Sequence, residues 1–373
     1  MLQLEPMPNQ EIMSHELLRV LVVDDTILYR TIISEILTAI PGVEVVGTAS
    51  QGEIGLAKVA QLNPDLITLD VEMPVMDGLT TLKKLQEIKS KALVLMVSAH
   101  TRQGAAVTLE ALQLGAYDFI TKPDGDDPQH NFQMLASKFR PIINAVMAQK
   151  ILRQTIGAMD SEPVGASPAT GIIRQSTEHY NPGIKIVAIG ISTGGPVALA
   201  DLLPRLPADF PVPIVIVQHM PKFFTGALAE SLDGKCSIRV VEGQAGQVLQ
   251  AATAYIAPGS RQMRVAHGQS QSLYVLEVTE DPPENHCQPS ADYLFRSVAS
   301  VCKGQSLGVI MTGMGSDGTH GLRLMKRQGA QVIAQDQASC VVYGMPMAAV
   351  KAGVVDAVIP LADIGPEIMR RVK

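Results

Sequence analysis

Short apolar, β-branched runs alternate with segments that place apolar residues three and four positions apart, and this alternation repeats along most of the chain. A strand buried on both faces must be covered by helices on either side, so the pattern commits the chain to doubly wound parallel sheets. From Leu17 the strand candidates are RVLVV, VEVVG, DLITL, ALVLMV and YDFIT, separated by helical stretches such as Ile27 to Ile40 and Leu79 to Ile88. Five β/α units therefore fill residues 17 to about 140. A last helix is expected to reach about Ile156. Residues 157–183 are then rich in Gly, Pro and Ser with little periodicity, which marks a linker within 141–183. Strand-like runs resume at KIVAIGI, PIVIV, SIRVV, AYIA, SLGVIM and AQVIA, and predict a second α/β domain over residues 184–373. No motif repeats between the halves, so duplication is not supported.

The 373 residues suffice for two cores of ordinary size. A net charge of −6, with no Lys/Arg-rich run and no helix-turn-helix after the first domain, argues against nucleic-acid binding. Cys236, Cys287, Cys302 and Cys340 are scattered and never spaced C-x-x-C, as expected of reduced thiols rather than a disulfide framework or a thiolate metal site. Residues 1–16 are expected to be a flexible tail with no basic start. No apolar run approaches a membrane span, so a cytoplasmic protein without membrane insertion is expected.

Polar residues interrupt the first domain just past its strand ends: Asp24 and Asp25 after RVLVV, Asp70 after LITL, Ser98 after LVLMV, Lys122 after FIT. In a parallel sheet these ends converge on one rim, where ligands bind. Three carboxylates there repel one another unless a hard cation neutralises them, and oxygen ligands of this kind suit Mg²⁺. Lys122 supplies a positive charge for a phosphoryl oxygen and Ser98 a hydroxyl. Any one Asp alone reads as a helix cap. Together, VVDD, LDVEMPVMDG and FITKP resemble the response-regulator receiver family over residues 17 to 140, which implies a flavodoxin-like fold. The resemblance makes Asp70 the phosphoacceptor. It assigns Asp24, Asp25, Asp70 and the backbone of Glu72 to Mg²⁺, Ser98 and Lys122 to the phosphoryl group, and Phe119 to the switch-aromatic position. Phe119 lacks the hydroxyl of Tyr, so packing alone must carry a rotamer signal.

In the second domain IVAIGISTGGPVALADLL runs from a strand through a glycine-rich turn into a helix, and Gly190, Ser192 and Gly194 satisfy G-x-S-x-G. Such a turn exposes a serine hydroxyl beside backbone N–H donors. Taken alone it reads equally well as a phosphate cradle, although it lacks the P-loop lysine and a full G-x-G-x-x-G. His219, after PIVIVQ, offers a base at the same rim, and otherwise reads as a structural histidine. Asp317, in LGVIMTGMGSDG, can orient that base or cap a helix, and loop N–H groups near Met314 can stabilise an oxyanion. These segments, with YIAPG and VVYGMP, resemble the catalytic domain of chemotaxis protein-glutamate methylesterases over residues 184 to 373. The resemblance implies a Rossmann-like esterase domain in which Ser192 is the nucleophile, His219 the general acid/base, Asp317 its orienter and the Met314 backbone part of the oxyanion hole. It implies methylated chemoreceptor cytoplasmic domains as substrate, a chemotaxis histidine kinase as phosphodonor, possible glutamine deamidation, and no cofactor for the ester chemistry. Gln262 and Gln288 depart from the residues usual in that family, which bears on how substrate is held. His15, His100, His130, His179, His267, His286 and His320 match no triad position. The domain order implies a first domain packed over the rim carrying Ser192 and shifted by phosphorylation, which adds about −1.5 to −2 charges. Rival readings are a receiver-controlled nucleotide-binding domain and a non-catalytic effector that binds receptor and kinase.

Overall fold

The computed structural model describes residues 17–99, 101–123, 125, 127–159, 183–270 and 273–372, with backbone alone for 152–159. The expected tail, most of the linker, His15, His100 and His179 lie outside the described residues.

Five strands, β1 (Leu18–Val23), β2 (Val43–Ala49), β3 (Leu66–Asp70), β4 (Leu93–Ser98) and β5 (Asp118–Thr121), form a parallel sheet in the order β2-β1-β3-β4-β5. Helices α1 (Ile27–Thr38), α2 (Gly52–Leu62), α3 (Gly78–Glu87), α4 (Arg102–Gln113) and α5 (Pro128–Met159) cover it. All of LITLD in β3 is buried, as its unbroken apolar character requires of a central strand. The order reverses between β1 and β3, and this switch point is where Asp24 and Asp70 emerge. Asp77 caps α3 by accepting from Thr80 N at 2.7 Å, and Thr101 caps α4 by accepting from Gly104 N at 2.9 Å. Helix α5 continues through Pro141, and its Leu135, Phe139, Ile142, Ile143 and Val146 pack under the sheet, so the first core takes in residues beyond 140.

The second sheet has seven parallel strands in the order β14-β13-β12-β6-β7-β9-β8. They are β6 (Ile186–Ile191), β7 (Ile214–Gln218), β8 (Arg239–Glu242), β9 (Thr253–Ile256), β12 (Ser306–Ile310), β13 (Gln331–Gln335) and β14 (Ala357–Ile359). Between β9 and β12 an antiparallel hairpin, β10 (Gln262–His267) with β11 (Tyr274–Thr279), stands apart from the sheet. Helices α6 (Gly195–Leu202), α7 (Phe224–Asp233), α8 (Ala291–Cys302), α9 (Thr319–Arg327), α10 (Met345–Lys351) and α11 (Leu361–Val372) complete the domain. Neither the hairpin nor β14 is among the strands expected from the sequence. In QMRVAH Met263 and Val265 turn inward while Arg264 faces solvent, a two-residue alternation too short to stand out; β14 has three residues. The chain extends from β6 to one side through β7, then returns to the other through β12, so this sheet too has a switch point, at β6 and β12.

The two domains meet through apolar surface. Helix α4 packs against α6 and α7, and the ring of Phe119 on β5 stacks on Phe224 with centroids 4.6 Å apart and planes 9° from parallel. The Arg102 guanidinium lies 5.8 Å above the Phe223 ring, and Gln113 Nε2 donates to Ser231 Oγ at 2.6 Å.

Candidate active site

Three adjacent strands of the second sheet deliver the candidate triad to one rim. Ser192 follows β6, His219 follows β7, and Asp317 lies in the loop between β12 and α9. The turn after Ser192 passes through Gly194 at φ +75°, and a Cβ there would meet the Val341 side chain at 2.5 Å; a side chain is excluded on both counts. On the other side, a Cβ on Gly313 would come within 2.7 Å of Ser192 Cβ, so this glycine lets the β12 loop close over the serine. Ser192 N donates to Thr312 O at 2.9 Å and Gln218 Nε2 donates to Ser192 O at 2.9 Å, which tie the turn to both neighbouring strands.

Asp317 is buried and collects donors from four other residues besides His219. Its Oδ2 pairs with His219 Nε2 at 2.8 Å and accepts from Ala291 N at 2.7 Å; its Oδ1 accepts from Ser290 Oγ, Asp292 N and Asn285 Nδ2 at 2.9–3.1 Å. Asp317 thus contacts both His219 and the N-terminal amides of α8, a distant helix, rather than capping its own α9, whose cap is Gly318. Burial opposes ionisation of Asp317, but the His219 bond and charge and the α8 amides outweigh it and hold the carboxyl at about 2. Burial likewise opposes charge on His219, yet Asp317 and Cys287 together push the imidazole up to about 9.

With Nε2 facing Asp317, Nδ1 is the ring nitrogen left for a nucleophile. No hydrogen bond joins Ser192 to His219 among the described residues, and the nearest polar partner of Nδ1 is Cys287 Sγ at 3.8 Å. Ser192 and His219 nonetheless line one cleft of about 750 Å³, together with Met314, Asn285, Cys287 and the first domain's Asp118, Phe119 and Lys138. Met314 N makes no hydrogen bond among the described residues, and Met314 lines this cleft.

Asn285, Cys287, Asp118 and Thr193 were not reached from sequence. Asn285 Nδ2 bridges Asp317 and Asp292 Oδ2 at 3.1 and 2.7 Å, separating two buried carboxylates. Asp118 is buried at the domain boundary, beside the Thr193 side chain, and burial pushes its carboxyl up to about 7. Nothing in their sequence spacing marks these residues; long-range folding brings them in. Gln262 is fully buried and braces the 282–290 loop, accepting from Ser290 N at 2.9 Å and donating to Pro282 O and Cys287 O, while Gln288 donates to Asp281 O. Neither lines the cleft. His130, His267, His286 and His320 are exposed.

On the first domain's rim, Lys122 Nζ lies 2.8 Å from Asp24 Oδ2 and 2.7 Å from Asp70 Oδ2, and 4.6 Å above the Tyr29 ring. Carboxylate oxygens of Asp24, Asp25 and Asp70 all lie within 4.8 Å of one another. Burial pushes the Asp70 carboxyl up to about 7; Lys122 pulls against this and Asp24 adds to it. One lysine thus leaves negative charge uncompensated. This oxygen-only set fits a hard divalent cation. Ser98 Oγ is turned toward Gly104 O and Ala99 O, both at 3.3 Å, Glu72 is exposed, and Phe119 faces the second domain.

Two family models match the chain: response regulator receiver domain over residues 20–130 and CheB methylesterase over residues 187–368. A protein-glutamate methylesterase/protein-glutamine glutaminase of Desulfotalea psychrophila is 47% identical over 361 residues, 95% of this chain and 99% of the relative. One from Bacillus subtilis is 42% identical over 360 residues, 96% and 99% of the two chains. Among solved structures, the Thermotoga maritima CheB methylesterase catalytic domain is 37% identical (TM-score 0.49) and covers 50% of this chain and 98% of that one. Neither the family models nor these relatives favour a nucleotide-binding second domain. Receiver and methylesterase domains in this order, with relatives similar along nearly their whole length, place the chain in the family of CheB-type protein-glutamate methylesterases/glutaminases.

Proposed function

We propose that the protein hydrolyses glutamate methyl esters on the cytoplasmic domains of chemoreceptors, releasing methanol, and that phosphorylation of Asp70 controls the rate. The observation that carries this reading is the His219 Nε2–Asp317 Oδ2 pair at 2.8 Å, on the strand end next to the one that presents Ser192. In this reading His219 Nδ1 takes the Ser192 proton as Oγ attacks the ester carbonyl. The Met314 N–H receives the oxyanion. Asp317 holds the ring and stabilises the imidazolium, which the high His219 pKa favours. The imidazolium returns its proton to departing methanol, and water then repeats the attack on the acyl-enzyme. No cofactor takes part in these steps. The relatives' names also include glutaminase, and the same acyl-enzyme forms from a glutamine side chain with ammonia as the leaving group.

The receiver pocket would hold Mg²⁺ through Asp24, Asp25, Asp70 and the Glu72 backbone, where the ion neutralises charge between Asp70 and an incoming phosphoryl group. Lys122 contacts the phosphoryl oxygens, and Ser98 reaches them after leaving Gly104 O. A chemotaxis histidine kinase in the cytoplasm supplies the phosphoryl group. Because the receiver supplies one wall of the cleft above Ser192, its docked position restricts entry of a receptor helix, and the added charge shifts that docking.

Methanol release from a methylated receptor, measured with and without a small-molecule phosphodonor, tests the reading. Release should rise with the phosphodonor, stay at the basal rate in Asp70→Ala, and nearly vanish in Ser192→Ala. Parental turnover in Ser192→Ala refutes the nucleophile, and equal rates with and without phosphodonor in parent and Asp70→Ala refute the regulation.

A further inference from the structure

No bond-making step of the esterase reading uses Cys287, a half-buried residue that lines the cleft and whose carbonyl accepts from Gln262 Nε2. Its Sγ lies 3.8 Å from His219 Nδ1, while Asp317 Oδ2 lies 2.8 Å from Nε2. Sulfur, imidazole nitrogen and carboxylate oxygen fall within 4.8 Å of one another. We propose that Cys287 Sγ and His219 Nδ1 bind a thiophilic divalent cation, Zn²⁺, and that the bound ion blocks ester hydrolysis by occupying the nitrogen that must accept the Ser192 proton.

The spacing suits the ion. Zn–S and Zn–N bonds of about 2.3 and 2.05 Å at a tetrahedral angle put the two ligand atoms about 3.6 Å apart. The observed 3.8 Å lies within a few tenths of an ångström of that separation. Asp317 already makes the contact that metal-binding histidines usually require on their far nitrogen: a carboxylate accepting from Nε2–H, which orients the ring and raises the basicity of Nδ1. The cleft leaves the remaining coordination positions to water. Binding releases the thiol proton, and any proton on Nδ1, to solvent.

Ligand softness separates this site from the receiver pocket. A thiolate and an imidazole select zinc over magnesium, whereas Asp24, Asp25 and Asp70 offer only oxygen. Burial disfavours the thiolates of the other cysteines, pushing Cys236 and Cys302 up to about 11 and Cys340 up to about 12. None of them joins a ligand cluster among the described residues.

The test uses the full chain freed of metal by a chelator, with Co²⁺ as the spectroscopic probe and Zn²⁺ as competitor. The expected result is a thiolate-to-cobalt charge-transfer band that saturates at one equivalent, is displaced by Zn²⁺, and survives both excess Mg²⁺ and Ser192→Ala. The band should be lost in Cys287→Ala and in Cys287→Ser, the second of which keeps the side-chain size. In parallel, Zn²⁺ should suppress methyl ester turnover reversibly. Relative to its own metal-free rate, Cys287→Ala should be less sensitive by more than about tenfold. A missing band, or one that persists in both Cys287 variants, overturns the site. A band without loss of turnover overturns the inhibition. Because the spectral titration needs no substrate, it decides the metal site even if the esterase reading fails.

Discussion

Truncating Phe119 to alanine isolates the contact through which the receiver holds the catalytic domain. The Phe119 ring is half-buried and stacks on Phe224 at 4.6 Å and 9°. Stacked aromatic pairs contribute about 0.5–1.5 kcal/mol beyond area burial, and a fully buried Phe→Ala change costs about 3–5 kcal/mol. A half-buried ring at a domain interface that can close up should therefore weaken docking by about 2 kcal/mol, or about 30-fold in the docked-to-undocked ratio. If docking restricts the cleft, the basal rate in Phe119→Ala rises by up to that factor while the undocked fraction remains small, and stimulation by a phosphodonor shrinks correspondingly. The assay is the initial rate of methanol release, run with a thermal melt to verify that both domains remain folded. An unchanged basal rate with full phosphodonor stimulation would refute the docking argument. A lowered basal rate would show instead that the receiver wall helps to form the site.

The remaining predictions concern the catalytic cleft. Asp317→Asn keeps the shape but presents an amide where two backbone N–H groups, a hydroxyl, the Asn285 amide and His219 now donate. Turnover should fall by about 10⁴-fold, as in triads whose histidine is held in the wrong tautomer, and stability by about 2–3 kcal/mol; retention of more than a tenth of the rate argues against Asp317 as orienter. Because the base must be neutral and His219 is raised to about 9, turnover should climb nearly tenfold per pH unit above 7 and level off near 9; a plateau already at pH 7 contradicts the imidazolium–carboxylate pair. Stability follows the opposite sign for this group: a raised folded pKa stabilises fully below the unfolded value of 6.5 and loses its contribution as pH rises toward 9. Asp317, lowered from 3.8 to about 2, stabilises above pH 4 and loses its contribution as pH falls toward 2, which denaturant midpoints from pH 6 to 2 should register and Asp317→Asn should flatten.

The two sheets were legible because a central parallel strand leaves no choice of residue: LITLD and IVAIGI must be apolar throughout, and such runs are visible without any partner. The rim residues were legible for a related reason. Asp70, Ser192 and His219 sit directly at strand ends, where the sheet alone fixes their neighbourhood, so a one-dimensional spacing already implies a three-dimensional cluster. The order of the strands confirms this, since both sites fall where the winding reverses.

Tertiary structure alone decided the rest. The β10–β11 hairpin depends on cross-strand pairing that two inward residues do not announce, and it carries Gln262, which braces the loop bearing Asn285 and Cys287. Asp317 caps α8 from 26 residues away, a role that no local capping signal in its own loop reveals. Phe119 was assigned a place in a switch, yet its partner Phe224 lies across a domain boundary, at a separation that sequence periodicity does not reach. Sequence thus determined which side chains stand on each rim, because backbone geometry repeats over a few residues. Only the folded chain decided what those side chains touch, because charge, burial and ring contacts act through space between residues far apart along it.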